Sequence, residues 1–149
     1  AKHVLLQLSK HDLKITTAES CTGGLIASMI TREAGASALF EAGFVTYSNA
    51  MKTKLLGVSE QLLNEHGAVS KAVVIAMAQG ALARSSADLA IAVSGIAGPD
   101  GGSEDKPVGT VWIAWGSINN IKSVCLSMPL PRDYFQKYVA FGGQISNFL

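Results

Sequence analysis

Two hydrophobic periods alternate along this chain. Near its start, "VLLQLSKHDL" places Val4, Leu5, Leu8 and Leu13 on one side at helical spacing. "KITTAES" is rich in β-formers and predicts a strand from Lys14 to Ala18. Helical spacing returns in "TGGLIASMITREAG", which predicts a helix from about Thr22 to Ala34, ended by Gly35. "FEAGFVTYS" predicts a strand from about Phe40 to Tyr47. In "NAMKTKLLG", Ser48 or Asn49 can cap a short helix, and Gly57 sits just past its end. Ser59 and Ser70 are cap candidates for two more helices, roughly 60–65 and 71–86. The second is Ala-rich, with Val73, Val74, Met77 and Ala81 forming a stripe to be buried. "ADLAIAVSG" is apolar nearly throughout, the pattern of a central strand covered on both faces.

A Gly- and Pro-rich loop, "GIAGPDGGSEDKPVG", follows that strand. Beyond it, "TVWIAWGS" and "IKSVCLSM" flank "INN", whose two Asn tolerate the positive φ of a tight hairpin turn. The two segments are therefore expected to pair antiparallel. After "PLP", a last helix is expected from Arg132 to Phe148, weakened by Gly142 and Gly143 inside it. No internal repeat or low-complexity segment interrupts the series. The alternation predicts an α/β fold: a single three-layer α/β/α domain over residues 1–149. Its sheet should be mixed and mostly parallel, with a C-terminal antiparallel hairpin.

Composition narrows the functions available to such a fold. A chain of 149 residues, 48% of them hydrophobic, should bury roughly 70% of its unfolded surface around one core. A net charge of +1 lacks the basic stripe that a duplex-DNA clamp needs, so no nucleic-acid partner is expected. Cys21 and Cys125 form no CxxC pair, and no disulfide framework is expected; a reducing, cytoplasmic setting fits best. His3, His11 and His66 lack ligand spacing, so no metal is expected. No apolar run reaches the length of a membrane span and no signal peptide opens the chain, which points away from a membrane partner.

Candidate chemistry gathers after three predicted strands: "ESCTGG", "YSNAMK" and "SGIAGPDGG". In open α/β sheets, ligands bind outside the carboxyl ends of the strands. If the three strands are parallel, the three clusters line one edge. In the first, Ser20 falls between strand and helix, where backbone N–H groups favour anions and developing oxyanions. Read structurally, Ser20 or Thr22 is an N-cap and the glycines serve packing. Cys21 is a rival nucleophile, although a small buried Cys is the commoner outcome. In the second cluster, Lys52 falls in the first turn of a helix, where the macrodipole disfavours a cation. That dipole is worth about 0.3–1 kcal/mol, whereas lowering a Lys from about 10.4 to about 7 takes roughly 4.6 kcal/mol. Burial must supply the rest. Lys54, two residues on, cannot share the same face, and its greater distance from Tyr47 favours Lys52. The third cluster could cradle a phosphate with backbone N–H groups, or be only a glycine-rich connection. "SEDK" fits SxxK but lacks the helix which that motif requires. Asp100, Glu104 and Asp105 read as a solvated loop face, and Trp112 and Trp115 as packing residues on opposite faces.

Taken together, these stretches resemble the CinA C-terminal domain family, the nicotinamide mononucleotide (NMN) deamidase group. The matching segments are "TAESCTGGLIA" (17–27), "GFVTYSNAMKTKLLGV" (43–58), "GAVS" (67–70), "MAQGA" (77–81), "AIAVSGIAGPDGG" (90–102) and "KPVGTVWIAW" (106–115). The resemblance implies a stand-alone α/β/α domain that hydrolyses the carboxamide of NMN to nicotinate mononucleotide and ammonia, in pyridine nucleotide recycling. It implies no cofactor and suggests a homodimer. It assigns Ser20 as nucleophile, Lys52 as its base and Tyr47 as an aid to proton transfer or to orienting the Lys. Glu19, Cys21, Thr22 and Gly23 would contribute to the substrate site, with backbone N–H groups near Cys21 to Gly23 as an oxyanion hole. Ser94, Gly95 and Gly98 would hold the phosphate or ribose, Asn49 the ring amide, and Arg132 of the last helix would complete the site. Two positions depart from the family pattern. Ala50-Met51 stands where the family often has Glu-Ala, and Gln136 stands where it often has a second Arg. The changed last helix leaves open an alternative, a non-catalytic nucleotide-binding or regulatory module. An amidase for a different small amide is a third reading.

Overall fold

The computed structural model describes residues 2–142. Helix α1 (Lys2–Lys10) leads into strand β1 (Ile15–Glu19), then α2 (Leu25–Thr31) and a single 3-10 turn at Ala36–Ala38. Strand β2 (Phe40–Val45) is followed by three helices: α3 (Asn49–Leu56), α4 (Glu60–His66) and α5 (Lys71–Ala83). Strands β3 (Leu89–Gly95), β4 (Thr110–Ser117) and β5 (Asn120–Ser127) precede the last helix, α6 (Arg132–Gly142). The part of the expected last helix beyond Gly142 lies outside the described residues.

One five-stranded sheet has the order β2-β1-β3-β4-β5. β1 pairs in parallel with both β2 and β3, while β3–β4 and β4–β5 are antiparallel. Only β4 opposes the common strand direction. The chain steps from β1 outward to β2, then returns across the sheet to β3 on the other side of β1. Such a reversal opens a crevice at the carboxyl ends of the strands.

The helices form two outer layers, and β3 shows why. Ile91 and Val93 face a core shared with Val4, Leu8, Ile26, Ile30, Phe135 and Val139 of α1, α2 and α6. Ala90 and Ala92, on the alternate face, pack with Leu56, Leu63, Val74, Met77 and Ala81 of α3, α4 and α5. Strand periodicity separates the two sets. Small alanines on one face let the Ala-rich α5 lie close. Trp115 packs beside the first core and Trp112 beside the second, the opposite placement that their spacing predicts.

Several boundaries differ from the sequence reading. α2 begins at Leu25, not Thr22, because Gly23 (φ 59) and Gly24 (φ 100) take left-handed backbone that a right-handed helix cannot include. Residues 20–24 instead make a turn. β2 stops at Val45, and α5 stops at Ala83, short of residue 86. The β4–β5 hairpin forms with Ser117 opposite Asn120, but neither Asn119 nor Asn120 has positive φ; among described non-glycine residues only Asp12 does. The caps fall as expected: Ser48, Ser59 and Ser70 accept from the amides of Met51, Leu62 and Val73.

Candidate active site

The site starts where β1 runs out. The Ser20 amide donates to Val93 O at 3.0 Å, so the serine sits at the seam between β1 and β3. Gly23 N–H then donates to Ser20 O at 3.0 Å and folds the chain back toward α2. Beneath this turn lies Glu19, fully buried. Its Oε1 accepts from the Thr22 hydroxyl and, at 2.9 Å, from the Ile26 amide; Oε2 accepts from the Ala27 amide at 3.0 Å. Gly24 at the α2 N-cap has no side chain to offer, and Glu19 fills that role.

Lys52 reaches the same seam from α3. Its side chain is only 1% exposed, and its Nζ donates to Ser20 Oγ at 3.0 Å, Thr46 O at 2.9 Å and Tyr47 O at 3.3 Å. Among the described residues it forms no ion pair. Burial pushes the Lys52 ammonium below its usual value, against a weaker opposing influence of Cys21. Lys54 points elsewhere and is exposed, as two neighbours on a helix must. Burial also pushes the Cys21 thiol up to about 12, with the nearby Glu19 charge adding to that and Lys52, Arg132 and its own amide opposing it. A thiol held that high stays protonated at neutral pH and is a poor nucleophile.

A cleft of about 270 Å³ opens over these groups. Nine of the residues singled out from sequence line it. Ser20 and Cys21 come from the first strand end, and Tyr47, Asn49 and Lys52 from the second. Ser94, Gly95 and Gly98 come from the third, and Arg132 from α6. Glu19, Thr22 and Gly23 are not in the lining; Glu19 and Thr22 are turned to each other beneath it. The lining also includes Ala68 and Val69 before α5, and Asp100 and Gly101 of the glycine-rich loop. No chemical side chain marks Ala68 or Val69; both fall in the matching segment "GAVS", which gave them no role.

The tyrosine side chain points to α6 and not to the lysine. Its hydroxyl bonds to Arg132 Nη2, not to Lys52, and only its backbone carbonyl touches the amine. Arg132 Nη1 donates to Gly98 O at 2.8 Å. One turn later, Gln136 Nε2 donates to Cys21 O at 3.0 Å. α6 thereby ties together the loops that follow all three parallel strands. Among the described residues no cluster of His, Cys, Asp or Glu could hold a metal, and no helix is long and apolar enough to cross a membrane.

Comparison with known proteins places this arrangement. A sequence model of the CinA C-terminal domain matches residues 1–141. The chain belongs to the CinA C-terminal domain family. A CinA-like protein of Colwellia psychrerythraea is 63% identical over 140 residues, which are 94% of this chain but only 32% of that protein. The chain thus spans about a third of that family member's length. The Escherichia coli protein named nicotinamide-nucleotide amidohydrolase PncC is 62% identical over 103 residues, 69% of this chain and 62% of its own length. Its Pseudomonas putida namesake is 61% identical over 116 residues, 78% of this chain and 72% of its own. Among solved structures of CinA-type proteins, the competence/damage-inducible protein CihA from Agrobacterium tumefaciens superposes with a TM-score of 0.94. The two are 40% identical, and the match covers 99% of this chain and 90% of the other.

Proposed function

We propose that the domain is an amidohydrolase that converts the carboxamide of NMN to a carboxylate, releasing nicotinate mononucleotide and ammonia. One observation carries the reading: a buried lysine amine 3.0 Å from a serine hydroxyl at the floor of an open cleft. The names of the Escherichia coli and Pseudomonas putida relatives supply the substrate.

The geometry suits a neutral amine. Uncharged Nζ has two N–H bonds and one lone pair. The carbonyls of Thr46 and Tyr47 can take the two N–H bonds, leaving the lone pair for the Ser20 hydroxyl. Ser20 Oγ attacks the carboxamide carbon while its proton passes to Lys52 Nζ. The tetrahedral intermediate collapses as that proton goes to the leaving nitrogen, and ammonia departs from an ester on Ser20. A water molecule, giving its proton to the same amine, hydrolyses the ester and frees the acid. Arg132 and the backbone from Gly95 to Gly98 are offered to the phosphate end of the substrate.

The test is to incubate the protein with NMN and follow ammonia and nicotinate mononucleotide by chromatography, with Ser20→Ala alongside. Product from the wild type, and a loss of at least about 10³-fold in the variant, is the expected result. Full activity in Ser20→Ala would sink the mechanism. The second reading, a nucleotide-binding module, rests on Gln136, which spends its amide on Cys21 O and brings no cation to the cleft. It expects NMN to raise the melting temperature with no ammonia released.

A further inference from the structure

Ser94 stands level with the reacting serine. The Ser20 amide donates to Val93 O at 3.0 Å, which carries the β1–β3 ladder one residue past the Glu19–Val93 pair and sets Ser94 opposite Ser20. Neighbours across such a pair of strands lie about 4.8 Å apart. Side chains alternate along a strand, so both serines fall on the sheet face that carries Ala18, Ala90 and Ala92. This is the face against which α3 brings Lys52.

The two hydroxyls have different company. Ser20 Oγ accepts from Lys52 Nζ, whereas Ser94, only 1% exposed, makes no side-chain hydrogen bond among the described residues. A hydroxyl taken out of water and left unpaired costs stability, so a buried one at a cleft asks for a use. Ser94 belongs to the cleft lining together with Ser20 and Lys52. The family resemblance gives it to the phosphate or ribose. Its register with Ser20 puts it instead at the carboxamide end of the substrate, while Arg132, the cation a phosphate could meet, comes from α6.

The reaction needs a group there. Once Ser20 Oγ has bonded to the carboxamide carbon, Lys52 Nζ is an ammonium whose three N–H bonds are directed to Thr46 O, Tyr47 O and Ser20 Oγ. None of these is the leaving nitrogen, a separate substituent of the same carbon. We propose that Ser94 is a catalytic residue that relays the proton: its hydroxyl gives its own proton to the leaving nitrogen while taking one from Lys52 Nζ. The C–N bond breaks, its electron pair leaves with the nitrogen as ammonia, and Ser94 and Lys52 both end neutral. The inference rests on the amidohydrolase reading and supplies the route of one step in it. It makes a selective claim. An amide nitrogen must be protonated to leave, whereas an alcohol leaves an ester with far less help.

Ser94→Ala and Ser94→Thr are assayed in the full chain on NMN and on the methyl ester of nicotinate mononucleotide, with thermal melts to confirm folding. On NMN, Ser94→Ala should lose about 10²-fold in kcat with KM within about 2-fold of wild type; on the ester it should stay within about 5-fold. Ser94→Thr keeps the hydroxyl and should recover most of the activity on the amide. If Ser94→Ala proves unfolded, Ser94→Cys takes its place, keeping the shape with a weaker donor. Equal losses on amide and ester would overturn the relay. So would a raised KM with kcat unchanged, the result that a phosphate or ribose contact predicts. Absence of ammonia from the wild type sinks both this and the amidohydrolase reading, whereas Ser20-dependent turnover of NMN that survives Ser94→Ala intact sinks this alone.

Discussion

Lys52 carries its amine inside the protein with two carbonyls and one hydroxyl for company. Its pKa in the folded chain lies below the ordinary 10.5 because burial penalises the ammonium form. Between the two values the unfolded chain binds more protons than the folded one, so stability rises with pH across that window. The burial penalty is greatest below the folded value and has gone by 10.5. Replacing the amine with an apolar side chain of similar length removes this dependence. In Lys52→Met, activity should vanish, and urea melts from pH 6 to 10 should show the wild type gaining on the variant as pH rises. A constant difference across that range would mean that Lys52 titrates at its ordinary value. For the active wild type, kcat/KM should rise with pH as the neutral amine forms. The family resemblance paired Ser20 with Lys52, on clusters that each come after a run that reads as a strand. The side-chain partners of Tyr47 and Glu19 were not legible in the sequence. The tyrosine's partner, Arg132, lies 85 residues away. Glu19 gave no local sign of burial, since carboxylates are rarely buried without partners.

At the scale of elements, the position of Lys52 depends on how α3 meets α5. Gly80 makes that meeting possible: a Cβ there would stand 2.0 Å from the Leu56 carbonyl oxygen. Backbone cannot yield as a flexible side chain can, so Gly80→Ala should push the two helices apart. The expected cost is about 1–3 kcal/mol, read as a lower midpoint in chemical denaturation. Because α3 moves with it, turnover should fall as well. Unchanged stability would show that the crossing is looser than the contact implies. "MAQGA" in sequence announces a helix-breaking residue in mid-helix, yet not what approaches it. The two faces of β3 were readable, since an uninterrupted apolar strand must be covered twice. The start of α2 was not. "CTGGLIA" has helical spacing throughout, and only the left-handed backbone of Gly23 and Gly24 moves the first helical residue to Leu25.

The molecule as a whole places its cleft where the strand order reverses, and closes it with a helix from the far end of the chain. Strand alternation and polar residues after three strands were enough to forecast one shared edge. They did not show which helix completes it, because α6 acts through hydrogen bonds spanning up to 115 residues; Arg132 of the last helix came from the family resemblance alone. Arg132 and Gln136 make those bonds, while Phe135 and Val139 on the same helix are fully buried. The two functions separate. Replacing both polar residues, as Arg132→Met with Gln136→Met, should leave the fold intact by circular dichroism and raise the KM for NMN about tenfold, through loss of alignment. An unaltered KM would mean that the loops hold themselves. The same arrangement bears on how the protein comes into being. A ribosome delivers all five strands, and both members of the Ser20–Lys52 pair, before α6 emerges. Through that interval the face covered by α1 and α2 lacks its third helix, and the loops are untied. The emergence of α6 completes the cover and draws the cleft together, so a product ended before α6 would keep the reacting groups and lack their alignment.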